Sequence, residues 1–440
     1  MLGLNDTLPM HLQLAMMRLF ASNGAWQSSS VNWPSYMMQL SAFLPRPKTP
    51  FEQWEDVLQE QAHEARQQQR ARKQKRQQKN HASDEDATNP FSAFMEHPAF
   101  QSALTNEAYS RTQGFLEGIS AVMQSEYVRK ETPYEVVWEH GACRLLDYAP
   151  GTRDGVAIFI VPSLINRAHV LDIHPDASFI AYLVRRGFRP LMLDWGEPDN
   201  ETLSYGCADY ISGKALPAFS AARELHDGPL TLLGYCMGGV FAVAMAQLLK
   251  RTCDALMLLA TPWDFSTADS PRVALPGPAT FMFRQSLASM NPVPASVINL
   301  CFHLIDPWAI QKRYERFAQL SDMDKHLFLA VEHWLSDGVP LAQAVAVETF
   351  VDWPHDNILH TGQFKVGRSW IEPQTITCPV LAIIPAHDRI VPASCALPLA
   401  ERFVRCDTLI PELGHVSMVA SSAARDAMWQ PLADWLAARF

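Results

Sequence analysis

The chain has 440 residues, of which 48% are hydrophobic and 19% charged, and its formal net charge is −10 at pH 7. This balance supplies a sizeable core and excludes a wholly disordered chain, a collagen-like repeat and a small disulfide-held fold. The acidic excess argues against a general nucleic-acid-binding protein, because neutralising phosphates requires a surplus of Lys and Arg. We therefore expect a globular protein with no nucleic-acid partner.

Eight cysteines are scattered along the chain, and none stands in a Cys-x-x-Cys pair. Neither a zinc ribbon nor a disulfide framework is indicated, and we expect no metal and no organic cofactor. The N-terminus lacks the basic segment of a secretory signal. The uncharged stretch 228–249 is long enough to span a membrane, but Pro229 and the glycine-rich run 234–239 divide it into unlike halves. We expect a cytoplasmic protein without a transmembrane span.

The N-terminal region, residues 1–130, is expected to be helical. An apolar stripe that begins at Leu12 predicts a packing helix, with an amphipathic surface-binding segment as the alternative. A basic, Gln/Arg-rich stretch at about 66–89 buries little apolar surface and is expected to be a solvated linker, with an anionic-surface or nucleic-acid role as the alternative. Helices resume between residues 91 and 127.

Residues 131–440 alternate between short apolar runs and helical stretches, which predicts a doubly wound α/β domain. The expected strands are 143–148, 156–161, 190–195, 230–234, 255–260, 379–385 and 407–410. The expected crossover helices are 179–186, 215–225 and 240–250. The segment at about 262–377 is helical and aromatic-rich, and its length is that of an inserted cap domain rather than a loop.

A Gly-x-Cys-x-Gly pattern at residues 234–238 lies between an expected strand and an expected helix. It matches the nucleophile elbow, Gly-x-Ser-x-Gly, with Cys236 in place of serine. The following helix N-terminus favours the thiolate form of Cys236, and the N–H of Met237 is the first expected oxyanion donor. The pattern alone also fits a structural cysteine in a buried turn, but its position between strand and helix favours a nucleophile.

The elbow predicts an acid and then a histidine further along the chain. Asp388 follows the strand 379–385, at the strand end where α/β sheets carry function, and His415 follows the next strand. His387 and Asp407 are the rival assignments. His387 is adjacent to Asp388 and would point the other way, while Asp407 begins a strand rather than following one. The expected catalytic triad is therefore Cys236, Asp388 and His415.

A second oxyanion donor is expected from the loop after the strand 156–161. The candidates are the backbone N–H groups of Leu164 and Ile165, and the sequence favours neither. Other histidine pairs, such as His169 and His174, lack a metal-ligand spacing on a clear helix. We expect these histidines to be structural or exposed.

With these residues in place, the chain resembles the polyhydroxyalkanoate (poly-3-hydroxybutyrate) synthases, α/β-hydrolase-fold enzymes with a catalytic cysteine. The resemblance runs from about residue 132 to 437. It rests on the segments 132–137, 161–167, 170–172, 193–196, 234–239, 388–392 and 414–415. The Leu-Ile-Asn-Arg run and the Asp-Trp-Gly run within them are more specific than the elbow. The chain departs from the usual family pattern at Arg389, where a histidine is common.

The resemblance implies polymerisation of (R)-3-hydroxyacyl-CoA to polyester, with release of CoA through an acyl-Cys236 intermediate. It implies that His415 removes the proton from Cys236. It implies that Asp388 orients His415 or itself deprotonates the 3-hydroxyl, and the sequence does not choose between the two. The family further implies a polyester granule surface as a partner, together with a homodimer or an accessory synthase subunit.

Two alternatives remain. An intracellular polyhydroxyalkanoate depolymerase or a 3-hydroxyacyl-CoA thioesterase can use a cysteine on the same scaffold. A non-catalytic granule-associated protein would suit the apolar, Met-rich N-terminus and the basic stretch. The Leu-Ile-Asn-Arg and Asp-Trp-Gly runs favour the synthase, and an intact triad argues against an inert protein.

Overall fold

The computed structural model describes residues 97–267, 277–305 and 309–440. The chain divides into two compact units, and their boundary at Glu117 falls within helix α1, Pro98–Met123. The helical stripe expected from Leu12 and the linker expected at about 66–89 lie outside the described residues. Of the helices expected between residues 91 and 127, α1 is the one described.

The larger unit is built on an eight-stranded sheet. The ten strands are β1 Glu135–His140, β2 Cys143–Asp147, β3 Ala157–Val161, β4 Arg189–Asp194, β5 Leu230–Tyr235, β6 Leu256–Leu259, β7 Lys365–Val366, β8 Ser369–Trp370, β9 Val380–Ile383 and β10 Cys406–Leu409. The strand order in the sheet is β1-β2-β4-β3-β5-β6-β9-β10, and β7 and β8 form a separate hairpin. Strand β2 pairs antiparallel with both β1 and β4, whereas the strands from β4 to β10 in that order are parallel neighbours.

Helices connect the strands and form the inserted segment. They are α2 Phe179–Arg185, α3 Cys207–Tyr210, α4 Leu216–Glu224, α5 Met237–Leu249, α6 Gly277–Ala288, α7 Ala295–Ile305, α8 Ala309–Glu315, α9 Asp322–Ser336, α10 Gln343–Val347, α11 Ala393–Ala400 and α12 Gln430–Ala437. Three π-helical segments, Ile211–Ala215, Glu348–Asp356 and Arg425–Trp429, adjoin α4, α10 and α12. None of the helices that the structure describes has both the length and the apolar character needed to cross a membrane.

The seven expected strands are confirmed, each to within two residues at either end. Strands β3, β5, β6 and β9 are buried at every position, which is why they appear in the sequence as continuous apolar runs. The sequence did not predict β1, because that strand lies at the sheet edge and is half-exposed or exposed along its whole length. The hairpin of β7 and β8 is too short to leave a pattern.

The core lies on both faces of the sheet. One apolar cluster includes side chains of α4, α5 and α11, and the other includes side chains of α2 and α12. Burial on both faces together with parallel pairing defines a doubly wound sheet. The expected α/β-hydrolase fold is confirmed.

Between β6 and β9 the chain leaves the sheet and forms helices α6 to α10 and the short hairpin. We call this segment, residues 262–377, the cap. The Asn357 side chain accepts a 3.0 Å hydrogen bond from the Phe265 N–H and donates a 2.9 Å hydrogen bond to Asp264, which ties the first residues of the cap to a later part of it. Because β6 and β9 are parallel neighbours, the chain leaves the sheet at the carboxyl end of β6 and re-enters it at the amino end of β9.

Candidate active site

Cys236 stands in a strained turn between β5 and α5. Its backbone has φ 55° and ψ −126°, a left-handed conformation that is unfavourable for a residue with a side chain. The turn is held on both sides: the Cys236 N–H donates to the Leu259 carbonyl at 2.8 Å, and the Cys236 carbonyl accepts from the Gly239 N–H at 2.9 Å. The helix thus begins directly after the thiol, as the elbow pattern predicts.

The glycines around Cys236 allow the backbone to approach its neighbours closely. A Cβ on Gly234 would lie 2.4 Å from the Gly239 Cα, and a Cβ on Gly238 would lie 2.1 Å from the Val161 carbonyl oxygen. Both distances are shorter than those that real Cβ atoms show, and the neighbouring atoms belong to the backbone, which cannot move aside easily. The Gly-x-Cys-x-Gly spacing is therefore a packing requirement of this turn.

Asp388 and His415 meet beside Cys236. The His415 Nδ1 lies 2.6 Å from the Asp388 Oδ2, and the Asp388 Oδ1 accepts from the N–H groups of Ile390 and Val391 at 2.8 Å each. These bonds fix the carboxylate from both of its oxygens. Cys236 lies close enough to His415 to raise the pKa of the imidazole. The three residues expected as the triad are thus brought together at one place.

The surroundings of His415 favour its protonated form. Burial alone lowers the pKa of this imidazole, but the charges of Asp388 and Cys236 and the hydrogen bonds to both raise it well above the usual value. The imidazole therefore lies between a carboxylate and the sulfur of Cys236, with its protonated form favoured. The arrangement therefore suits nucleophilic attack by sulfur.

Cys236 and Asp388, the two neighbours of His415, differ in their exposure to the cavity. His415 and the half-buried Cys236 line a cavity of about 260 Å³, whereas the Asp388 side chain is fully inaccessible and lies behind the histidine. The volume is close to the lower end of the roughly 300–1,000 Å³ typical of small-molecule pockets. A molecule that entered the cavity would meet Cys236 and His415, whereas the Asp388 carboxylate does not line the cavity.

The expected oxyanion donors occupy different environments. Met237 is the first residue of α5, so its N–H is one of the unpaired amides at a helix N-terminus beside Cys236. The Ile165 N–H donates to the Ser163 hydroxyl at 3.0 Å, although Ile165 lines the cavity. Leu164 is buried, and its backbone amide stays the alternative. For Ile165 to serve as a donor, the Ser163 hydroxyl must first release its N–H.

Two tryptophans hold the loop that follows β3. The Trp195 indole N–H of the Asp-Trp-Gly run donates to the Pro162 carbonyl at 3.0 Å. This bond holds residues 162–167, which we call the candidate oxyanion loop. The Trp334 indole N–H of α9 donates to the Arg167 carbonyl at 2.7 Å, which joins the other end of that loop to the cap. Trp195 and Trp334 therefore hold the two ends of the loop opposite Cys236.

The rival residues lie outside the triad. His387 is exposed, and its Nε2 lies 2.8 Å from the Oε2 of Glu412. Asp407 lies within β10, where its Oδ2 accepts from the Trp435 indole and from Arg439. His169, from one of the other histidine pairs, is half-buried, and desolvation is the main cause that lowers its pKa to about 4, with the charge of Arg129 contributing. These positions favour the triad chosen from the sequence.

The cap contributes cavity residues that sequence reasoning missed. Helices α7, α8 and α9 all reach the cavity, and among their lining residues are Arg313 and Glu332, which form an ion pair at 2.5 Å. No motif marks these positions in the sequence, because they become neighbours only when the cap helices pack together. Within the described ranges, no group of three or more His, Cys, Asp or Glu side chains is placed to hold a metal ion.

Known proteins with a similar sequence are polymerases. The family description "Poly-beta-hydroxybutyrate polymerase (PhaC) N-terminus" matches residues 128–183. The poly(3-hydroxyalkanoate) polymerase subunit PhaC of Haloferax mediterranei is 27% identical over 323 residues, which cover 72% of this chain and 66% of that protein. The subunit of the same name from Allochromatium vinosum is 28% identical, and the match covers 74% of this chain and 94% of that protein.

Solved structures with a similar fold have other names. A thioesterase domain from the curacin biosynthetic pathway has a TM-score of 0.42 and 15% identity, and covers 70% of this chain and 99% of that chain. A bromoperoxidase from Bacillus anthracis has a TM-score of 0.44 and 14% identity, and covers 67% of this chain and 95% of that chain. These similarities concern the fold alone.

Proposed function

We propose that this chain, a relative of the polyhydroxyalkanoate synthases, polymerises (R)-3-hydroxyacyl-CoA to polyester and releases CoA. The observation that carries the proposal is a cysteine elbow that shares a cavity, lined on one side by the cap, with a histidine bonded to Asp388. The named polymerase relatives supply the substrate class. The reaction requires no metal and no organic cofactor, since acyl-CoA is a substrate.

The first step is acylation of Cys236. Its thiolate attacks the thioester carbonyl, so that a bond forms between Sγ and the acyl carbon while the bond from that carbon to the CoA sulfur breaks. The Met237 N–H and a donor from the loop opposite stabilise the oxyanion. The proton on His415 goes to the departing CoA thiolate. One thioester replaces another, so the exchange is nearly isoenergetic, which suits a sulfur nucleophile.

The second step is chain growth. The 3-hydroxyl of an incoming 3-hydroxyacyl-CoA attacks the acyl-Cys236 carbonyl and gives its proton to His415. An ester bond forms, the bond to Sγ breaks, and the extended chain, now a CoA thioester, acylates Cys236 again. We assign the proton transfer to His415 rather than to Asp388, because His415 lines the cavity and the Asp388 carboxylate is fully inaccessible.

The cap favours polymerisation over hydrolysis. It covers the cysteine with helices α7, α8 and α9, and its aromatic and aliphatic side chains exclude water from the acyl-enzyme. A hydroxyl of the next monomer then competes with little water for the acyl carbonyl. This environment favours the synthase over the depolymerase or thioesterase alternative.

We also propose how the chain is organised around this activity. The helical region 1–130 precedes the catalytic domain 131–440, and the cap at about 262–377 belongs to the catalytic domain. The working site is the surface of a polyester granule in the cytoplasm, where the product accumulates. A second copy of the chain or an accessory synthase subunit is the expected protein partner.

The proposal is tested by incubating the purified chain with (R)-3-hydroxybutyryl-CoA. Free CoA is followed with a thiol reagent, and the product is followed by turbidity and by mass. CoA release with rising turbidity and chains longer than a dimer supports the synthase. Release that yields only free hydroxy acid supports the hydrolase alternative instead, and a chain that releases no CoA, alone or with an accessory subunit, contradicts both.

A further inference from the structure

The cap side of the cavity combines apolar walls with one cation. Ile298 and Phe302 of α7 and Ile310 of α8 supply apolar surface, and Arg313 of α8 lines the same cavity. The Arg313 side chain remains 37% exposed. A guanidinium at an apolar wall requires an explanation, because a charge in such surroundings is costly unless it is paired.

The position of the Arg313 guanidinium is fixed by its neighbours. Its Nη2 lies 2.5 Å from the Oε1 of Glu332, whose side chain is only 3% exposed. The Tyr314 hydroxyl donates to the other carboxylate oxygen of Glu332 at 2.6 Å. The guanidinium carbon also lies 6.0 Å from the Tyr314 ring centroid and 5.9 Å from that of Phe328. A buried acid and two aromatic rings therefore hold the cation in place.

The ion pair does not use all the donors of Arg313. A guanidinium has five N–H donors, and Glu332 faces one of its nitrogens. The Nε of Arg313 has no hydrogen-bond acceptor among the residues that the structure describes. Because arginine keeps its charge at any working pH, these donors can bind an acceptor but cannot transfer a proton. Because the Nε itself is buried, the exposed part of the side chain is the part that can meet an oxygen acceptor in the cavity.

We propose that Arg313 binds a carbonyl oxygen of the polyester chain that grows on Cys236. This inference rests on the proposed function and names a binding group for its product. A polyester carries one carbonyl oxygen per unit and has no donor along its length, so it can pair only with donors of the cavity wall, and Arg313 is the cation that the cap contributes to that wall. The phosphates of CoA, in contrast, are highly charged and require solvent or several cations. Burying an ester carbonyl without a hydrogen-bond donor costs free energy, and this cost would slow elongation.

The test compares two variants that differ only at Arg313. Removing Arg313 alone leaves Glu332 as an uncompensated buried charge, which threatens the fold. The reference is therefore Glu332→Gln, which retains the guanidinium and the Tyr314 hydrogen bond. The test variant is Arg313→Met/Glu332→Gln, which lacks the donor. Lys312→Met, at an exposed position on the same helix, controls for the loss of a nearby cation.

Two readouts separate chain binding from a general defect. The first is single-turnover acylation of Cys236 by (R)-3-hydroxybutyryl-CoA, and the second is the rate and length of chain growth. Relative to Glu332→Gln, the double variant should acylate within about twofold but elongate about tenfold more slowly, the size expected for one hydrogen bond from a charged donor. Lys312→Met should elongate as the wild type does.

Three results overturn the inference. Equal elongation by the two Glu332→Gln proteins would show that Arg313 binds no part of the chain. Equal loss of acylation and elongation would assign Arg313 to CoA binding or to the cavity wall. If Glu332→Gln does not fold, Arg313→Lys replaces it, and unimpaired elongation by that variant overturns the inference too, since lysine lacks Nε and the planar fork. Failure of the wild type to release CoA would instead refute the proposed function.

Discussion

The Tyr235 hydroxyl donates a 3.1 Å hydrogen bond to the backbone carbonyl of His415. The ring of Tyr235 also lies 5.4 Å from the imidazole ring, measured between centroids. The residue immediately before the nucleophile thus supports the loop that carries the histidine. Tyr235 is the last residue of β5 and Cys236 follows it directly, so this contact ties the loop of His415 to the strand that leads into the nucleophile.

Removing the Tyr235 hydroxyl should loosen this loop. We expect Tyr235→Phe to lower kcat several-fold with little change in KM, and to reduce the free energy of unfolding by about 1 kcal/mol. Tyr127→Phe is the matched control, because the Tyr127 hydroxyl donates a similar 2.9 Å bond to the Ile173 carbonyl away from the triad. Steady-state kinetics and urea unfolding measure both effects. Equal kinetics for the two variants would assign Tyr235 a structural role alone.

The nucleophile itself has a sharp expected phenotype. Cys236→Ala should abolish CoA release while circular dichroism shows an intact fold. Cys236→Ser should retain only weak activity, because a hydroxyl ionises far less readily than a thiol. Residual turnover by Cys236→Ala above about a tenth of the wild-type rate is incompatible with an acyl-cysteine mechanism, since losing the nucleophile should cost several orders of magnitude.

The elbow should not tolerate a methyl group at Gly238. The added Cβ would lie 2.1 Å from the Val161 carbonyl and 2.5 Å from the Pro162 carbonyl, both of them backbone atoms. Gly238→Ala should therefore displace the candidate oxyanion loop and lower kcat at least tenfold. Gly151→Ala is a control for glycine loss, because nothing lies within 4 Å of a Cβ there, although its φ of 86° makes some loss of stability expected. If the two variants have equal kcat, close packing at the elbow does not control catalysis.

Acid stability should depend on His169. Burial, reinforced by the charge of Arg129, lowers the pKa of His169 to about 4, so the unfolded chain binds this proton more readily than the folded protein. The folded state therefore loses stability as the pH falls from about 6.5 to about 4, by about 3 kcal/mol from this group. Urea unfolding at pH 7 and pH 4 measures the free energy of unfolding at both values. His169→Asn should remove this contribution to the difference between them. An unchanged difference would mean that His169 is not the group that titrates.

The fold and the proximity of Cys236, Asp388 and His415 were predictable because their signals are local. Buried parallel strands are continuous apolar runs, and the elbow needs glycines at fixed distances from Cys236. Asp388 and His415 follow strands whose ends lie at the same sheet edge. Strand β1 gave no such signal, because its exposed edge position does not require apolar residues.

The rest of the site depends on contacts between distant segments. Arg313 and Glu332 come from separate cap helices, and neither a motif nor a periodicity joins them to Cys236. The choice of oxyanion donor depends on the Ser163 hydroxyl, which takes the Ile165 N–H at 3.0 Å. A side chain that competes for a backbone amide cannot be identified from spacing. These features require the packed structure.

The acyl-Cys236 intermediate is the central claim, and trapping it is the most direct test. The chain is mixed briefly with (R)-3-hydroxybutyryl-CoA and quenched in acid, and its peptides are analysed by mass spectrometry. The mechanism predicts 3-hydroxybutyryl adducts, single and oligomeric, on the peptide that contains Cys236, and no such adducts anywhere in Cys236→Ala. CoA release with an unmodified Cys236 peptide, or an adduct on another residue that persists in Cys236→Ala, would contradict it.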